Sequence, residues 1–317
     1  MHLFNIIIHL LVAAMLPPLL RGVIIKTKAA VAGRVGAPIL QPYYDIIKLM
    51  RKGSVYSTTT TWIFRAGPIV FLVTTAMAAM IIPFGEPNLA DDHLTPFPFA
   101  GDVILFAYLL GLGRFFMSAA ALDTGSSFEG MGTAREMTFA CLAEPALFFG
   151  LLVTAKLSKS LTLTEMLGDS LQNHWGDGGA SLVLVLVSWF IVLLAENSRI
   201  PFDDPNTHLE LTMIHEVMVL DHSGPGLGMI FYGAAIKLLI FTALIVRILT
   251  ALILRILAPP HSAVFSWLIF LALSLFVAAA IGVVESIMAR LRMMENFKLL
   301  ATACVLSAFG IILQTSN

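Results

Sequence analysis

Residues 229–250 read MIFYGAAIKLLIFTALIVRILT, twenty-two positions with two charges, Lys237 and Arg247. As a helix rising 1.5 Å per residue this segment is about 33 Å long, enough to cross the roughly 30 Å hydrocarbon core of a bilayer. An unpaired backbone amide costs several kcal/mol in hydrocarbon, so such a segment must be a helix that satisfies its own hydrogen bonds. Seven further blocks have the same character. The spacing predicts spans over 3–25, 62–83, 101–122, 137–157, 180–195, 229–250, 264–284 and 297–313 of one membrane domain covering 1–317. The expected fold is all-α, a polytopic transmembrane bundle of about eight spans.

Composition agrees. The 317 residues are 58% hydrophobic and 12% charged, about half the charge of a soluble domain. Two cysteines, Cys141 and Cys304, lie in separate apolar blocks. They build no iron–sulfur cluster or thiolate zinc site, which need spaced sets of four ligands. Redox chemistry is therefore expected in other subunits, with no cofactor, metal or catalytic residue in this chain. The first block, with His9 and Pro17-Pro18, has no small-residue cleavage site after it and reads as a retained span. No internal repeat is visible, which weakens an inverted-repeat transporter reading.

Lys and Arg are unevenly divided between the loops. Arg21, Lys26, Lys28, Arg34, Lys48, Arg51, Lys52, Arg135, Arg199, Arg290, Arg292 and Lys298 fall on one side, and Lys156, Lys159 and Arg255 on the other. The bias puts the odd-numbered loops in the cytoplasm and both termini on the outer, periplasmic side of the cell membrane. Segment 26–55 is too polar to span. From Pro42 onward its apolar and polar residues alternate at helical spacing, predicting an amphipathic helix on the cytoplasmic membrane surface.

Charges inside spans are expensive, at least about 2.5–3.5 kcal/mol on insertion scales, and so mark candidates. Arg114, Glu144 and Lys237 each lie eight or nine residues from the predicted cytoplasmic end of a span, about 12–13 Å deep. Consecutive spans tend to be neighbours, so Arg114 and Glu144 are expected to meet inside the bundle. Pro145 next to Glu144 frees nearby carbonyls and favours a hydrated spot. Two roles stay open for this charged level, an ion relay and a static pair that orders helix packing. Arg65 and Arg247, near span ends, read as snorkelling to the interface.

The predicted cytoplasmic loop 196–228 begins ENSRIPFDDPNTHLE (196–210) and is dense in acceptors. Asp204 before Pro205 reads as an N-cap with proline at the first helical position. On a helix from there, His208, His215 and His222 share one face. Seven residues cover about 10 Å of helix, too far for paired metal ligands, which sit three or four apart. They read instead as lining a polar cavity or docking face. Glu196, Asp203, Asp204, Glu210, Glu216 and Asp221 make the same surface acidic, and Glu285, Arg290 and Arg292 form a short turn on the same side.

At these residues the chain resembles a known family. Residues 196–203, ENSRIPFD, are similar to the loop signature of the membrane subunit at the heel of respiratory complex I, called subunit 1 in mitochondria. Eight spans, the amphipathic helix after the first and the basic RLR turn at 290–292 agree with it. The complex I pattern continues with Leu-Pro and several glutamates, whereas here Asp204 replaces the leucine and Asn206 and His208 stand where two glutamates would fall. Residues 210–225 (ELTMIHEVMVLDHSGP), 122–126 (LDTGS) and 285–292 (ESIMARLR) resemble instead the homologous subunit of energy-converting [NiFe]-hydrogenases and formate hydrogenlyase.

The resemblance implies a non-catalytic anchor that docks hydrogenase large and small subunits and an iron–sulfur subunit. It would couple their electron transfer to antiporter-like membrane subunits moving H⁺ or Na⁺. Nickel–iron and iron–sulfur centres would sit in those partners, and no nucleic acid is involved. By position, Glu196, Arg199, Asp203 and Glu210 would form the docking and coupling loop, and Glu144 the entry to the mid-membrane path. The missing glutamates weigh against a complex I-type quinone chamber. A quinone-binding subunit of a complex I-like enzyme is the alternative, and a stand-alone ion channel is a third reading from another class.

Overall fold

The computed structural model describes residues 2–85, 95, 99–203, 213–256 and 263–315. The described residues contain no strand. Eight helices are long and apolar enough to cross a membrane. They are α1 (His2–Val31), α3 (Trp62–Ile81), α4 (Asp102–Asp123), α5 (Ser127–Ser158), α8 (Trp175–Glu196), α9 (Gly224–Ile256), α10 (Ala263–Ile287) and α11 (Met293–Thr315). Three short helices, α2 (Gln41–Met50), α6 (Leu163–Met166) and α7 (Asp169–Asn173), lie in the connections.

The segment that decides the fold is also its axis. The most apolar window of α9 is 78% buried within the chain, against 28–50% for every other span. Helices α1, α3, α8 and α10 pack around it, α4 lies on α3, and α11 rests on α5 and α8. Centrality explains one departure from expectation. Arg247 does not snorkel but is 2% exposed, because no lipid path reaches it. Its Nε donates to the Leu167 carbonyl at 2.8 Å and its Nη1 to that of Gly85 at 2.6 Å, so two loop carbonyls replace water.

The observed helices outrun the expected spans where their ends are polar. Helix α5 begins at Ser127, ten residues before the predicted boundary, and continues through Pro145. Its first turns are held by side-chain bonds that no hydropathy pattern reports. Glu129, 1% exposed, accepts the Asp221 amide at 3.1 Å and the Thr124 hydroxyl. Helix α3 is capped by Thr61, whose amide and hydroxyl both donate to Asp123 at the end of α4, at 2.6 and 2.9 Å.

Helix α1 runs six residues past its predicted end before Gly33 and Gly36, both with φ near +65°, reverse the chain. Helix α2 then lies against the start of α9. Pro42 is buried and Tyr44, Ile47 and Met50 face outward, an apolar strip suited to a bilayer surface.

Tight packing shows at Gly150 on α5. A Cβ there would meet the ring of Trp189 on α8, with Cε2 only 2.7 Å away, and Trp189 donates its indole N–H to the Leu147 carbonyl at 3.3 Å. Alanine gains about 1 kcal/mol over glycine in helix propensity. Overpacking costs about 1–3 kcal/mol and wins here because the obstacle is a rigid ring. Gly150→Ala is expected to lower the thermal midpoint of the detergent-solubilised protein, and an unchanged midpoint would contradict this packing.

Candidate functional site: a buried charge cluster joining four helices

Four helices deliver ionisable side chains to one point. Glu196 is the last residue of α8, and its side chain is 5% exposed. Arg114 on α4 directs Nη2 at both Glu196 oxygens, at 2.7 and 2.6 Å. Lys237 on α9 places Nζ 2.7 Å from Glu196 Oε2. Arg114 Nη1 pairs with Glu144 on α5, and its Nε lies 3.9 Å from Glu136 Oε1, a charge contact too long for a hydrogen bond. The structure thus brings Arg114, Glu144 and Lys237 together, with Glu196 as the hub.

Glu136 escapes a reading of the sequence because the polar start of α5 looks like loop. It shares a cavity of about 20 Å³ with Arg114, Lys237 and His215, room for a single water molecule. Three carboxylates and two cations make the cluster one negative charge in excess when all are ionised. Its outer side is open. Glu144, with 43% of its side chain accessible, lines a cavity of about 710 Å³ between α4 and α5 that also reaches Arg114 and Glu196 and is otherwise apolar.

The long loop is fastened rather than free. Asp203, 1% exposed, accepts the amides of Ile214 and His215 at 3.0 and 3.2 Å and has Arg290 3.8 Å away. Burial pushes its carboxyl above the usual range, and those two amides oppose the shift. Arg199 and Lys28 both reach Glu285, at 3.4 and 3.0 Å. Asn296 donates to the Phe202 carbonyl at 3.2 Å and the Leu291 amide to that of Pro201 at 3.1 Å. From the other side Arg135 on α5 donates to the Met213 carbonyl at 2.9 Å.

Two expectations change. Residues 213–223 are turns around one short 3₁₀ segment, Val217–Val219, so His215 and His222 share no helical face. Buried hydrophobic anchors, Ile214, Val217, Met218 and Val219, hold this stretch against α5. Asp203 and Glu196 are buried rather than displayed on an acidic surface, because backbone amides and cations satisfy them. Glu285 and His222 are buried too, the first against Lys28 and Arg199, the second stacked on Phe64. Asp221 and Arg292 are exposed and Glu216 is half-buried. Asp204, His208, Glu210 and the helix expected from Pro205 lie outside the described residues.

This arrangement, a polytopic helical bundle with an ionic centre at the meeting of four spans, defines a multi-pass membrane protein. The chain matches the NADH dehydrogenase family over residues 4–316 and belongs to it, as the homologue of complex I subunit 1. It is 35% identical to hydrogenase-4 component C of Escherichia coli (strain K12) over 236 residues, 74% of this chain and 71% of that one. It is 30% identical to formate hydrogenlyase subunit 4 of the same strain over 291 residues, 90% of each. Identity to the corresponding membrane component of the NADH-quinone oxidoreductase of Polaromonas naphthalenivorans (strain CJ2) is 27% over 255 residues, 77% of this chain and 68% of that one. A chain in the structure of the membrane-bound sulfane sulfur reductase, an archaeal respiratory membrane complex, shares the fold, with a TM-score of 0.76 and 21% identity over 98% of both chains. The protein is a multi-pass membrane subunit of a multi-subunit oxidoreductase complex.

Two loop histidines carry a pH signature. Burial, joined at His215 by the Lys237 charge, lowers both His215 and His222 from 6.5 to about 4. His222 stacks on Phe64 with ring centroids 4.0 Å apart. A lowered folded-state value means that the unfolded chain binds protons first as pH falls. The stability these neutral rings provide is full above about 6.5 and lost as pH drops toward about 4. In His222→Phe the fall in thermal midpoint between about pH 7.5 and about pH 5 is expected to be smaller than in the parent; an equal fall would show that His222 does not titrate this way.

Proposed function

We propose that this chain is the non-catalytic anchor and coupling subunit of a membrane-bound [NiFe]-hydrogenase complex of the formate hydrogenlyase kind. It docks large, small and iron–sulfur subunits on the face carrying loop 196–228 and passes the consequence of their electron transfer to antiporter-like subunits that move H⁺ or Na⁺. That face is cytoplasmic, as the Lys and Arg bias requires, and both termini are outside. The closer likeness to hydrogenase-4 and formate hydrogenlyase components than to those of NADH-quinone oxidoreductase supports the hydrogenase branch.

The observation that carries the coupling role is the unmatched carboxylate around Glu196. A buried cluster with one surplus negative charge is neutral only when it holds a proton or cation. Water-sized room beside Glu136 and His215 gives that charge a place to exchange toward the loop. Glu144, the most accessible member, is the entry side. Movement of the Asp203–His215 loop would change the field at Lys237 and shift where the surplus charge rests.

A quinone-binding role is the second reading, favoured by the cavity of about 710 Å³ that reaches Glu196. A quinone site of that kind would open near both Glu196 and Arg290; this cavity opens between α4 and α5 and includes Glu196 but no residue of the 285–292 turn. Co-purification of a nickel-binding large subunit separates the two readings.

Two variants test the role. Glu144→Gln keeps size and a hydrogen-bond acceptor but removes the charge. In inverted vesicles it is expected to retain hydrogen evolution from reduced viologen while ion uptake falls at least tenfold; undiminished uptake would remove Glu144 from the path. Asp203→Ala leaves two amides without an acceptor, at a cost of about 1–3 kcal/mol, and removes the carboxylate facing Arg290. It is expected to release the soluble subunits on membrane washing while Asp203→Asn, which still accepts, retains most of them. Full retention by the alanine variant would remove the loop from docking.

A further inference from the structure

The cavity between α4 and α5 does not end in mid-membrane. Leu152, Ala155 and Leu161 line both it and a second recess of about 410 Å³ containing Lys156, Lys159 and Ser160. The two adjoin as an open groove along α5, largely apolar, charged at its inner end by Glu144 and basic at its outer end. Glu144 and Lys156 are twelve residues apart on one helix, about 18 Å.

We propose that this groove is a binding site for one anionic phospholipid, its phosphate held by Lys156 and Lys159 and an acyl chain laid between α4 and α5. Length fits: one leaflet contributes about 15 Å of hydrocarbon, so a tail anchored at the lysines ends just short of Glu144. Volume fits as well, since about 710 Å³ falls within the roughly 300–1,000 Å³ of small-ligand sites. A partner helix, about 10 Å across, would lie over such a groove and not within it.

Charge selects the headgroup. Lys156 donates one bond, to the Gln314 carbonyl at 2.9 Å, and keeps two donors. Among the described residues neither lysine has a carboxylate within ion-pair distance. Two cations at the end of α5 also complement its dipole, but that role needs no adjoining apolar groove. Basic pockets between transmembrane helices bind anionic headgroups on the cytoplasmic side, and the same charge attraction holds for two lysines at the outer end of α5. A resident lipid gives the charge cluster a fixed apolar wall where Tyr108 and Leu152 otherwise face exchanging bulk lipid.

The test uses the intact complex in its native membrane and a phosphatidylglycerol with a photoactivatable group in its acyl chain. Labelling is read by peptide mass spectrometry at residues 103–115 and 144–155. The expected result is at least fivefold more label there from this probe than from the matching phosphatidylcholine. Lys156→Gln/Lys159→Gln should abolish that preference, and Ala155→Trp should remove the label by filling the groove. Equal labelling by both headgroups, or labelling that survives the lysine changes, would overturn the proposal. So would protection of these peptides by a cross-linked partner helix or an isoprenoid quinone. Failure here leaves the Glu196 cluster and its coupling role untouched, because neither lysine belongs to it.

Discussion

One carboxylate, Glu196, holds the membrane core of this protein together. Charges in a low-dielectric interior are tolerated only when they are paired and hydrogen-bonded. Glu196 meets that condition by accepting from Arg114 and Lys237 at once, at 2.6–2.7 Å. The pairing fixes α4, α8 and α9 at one level, and Arg114 extends it to α5 through Glu144. Because an unpaired partner would be a buried bare ion, the four helices cannot slide past one another independently. The same rigidity makes the surplus charge informative, since any proton that arrives or leaves must do so against fixed neighbours.

The polar loop serves this centre from outside. Asp203 closes it on itself through two amides, Glu285 collects Lys28 and Arg199, and Glu129 and Arg135 on α5 hold its far end. Asp203, Glu285 and Glu129 are thus buried fasteners, whereas Asp221 stays exposed. The charge cluster and the loop adjoin at the small cavity that His215 lines together with Lys237, Arg114 and Glu136. Under the proposed coupling role, movement of the loop and a change of charge at Glu196 would act on each other by proximity, with no long pathway between them.

Much of this is legible in the chain alone. Hydropathy blocks locate all eight spans, and the cost of intramembrane charge singles out Arg114, Glu144 and Lys237. What escapes is of two kinds. Glu136 and the first ten residues of α5 are invisible because a polar helical turn held by side chains such as Glu129 looks like loop. Arg247 misleads because snorkelling depends on whether a helix borders lipid, and the pattern of α9 alone does not say that it is central. The histidine spacing misleads for a related reason, since a seven-residue repeat has meaning only on a continuous helix, and buried anchors fold this stretch into turns.

The sequence by itself determined the solvent: blocks of apolar residues long enough to cross hydrocarbon must be self-satisfied helices whatever surrounds them. It also determined which charges would need partners, because desolvation cost is a property of the residue and its depth. Only the tertiary structure decided who the partners are. Coulomb energy depends on separations of a few ångströms between side chains far apart in sequence, 82 residues from Arg114 to Glu196, and those separations are set by how the other helices pack around α9.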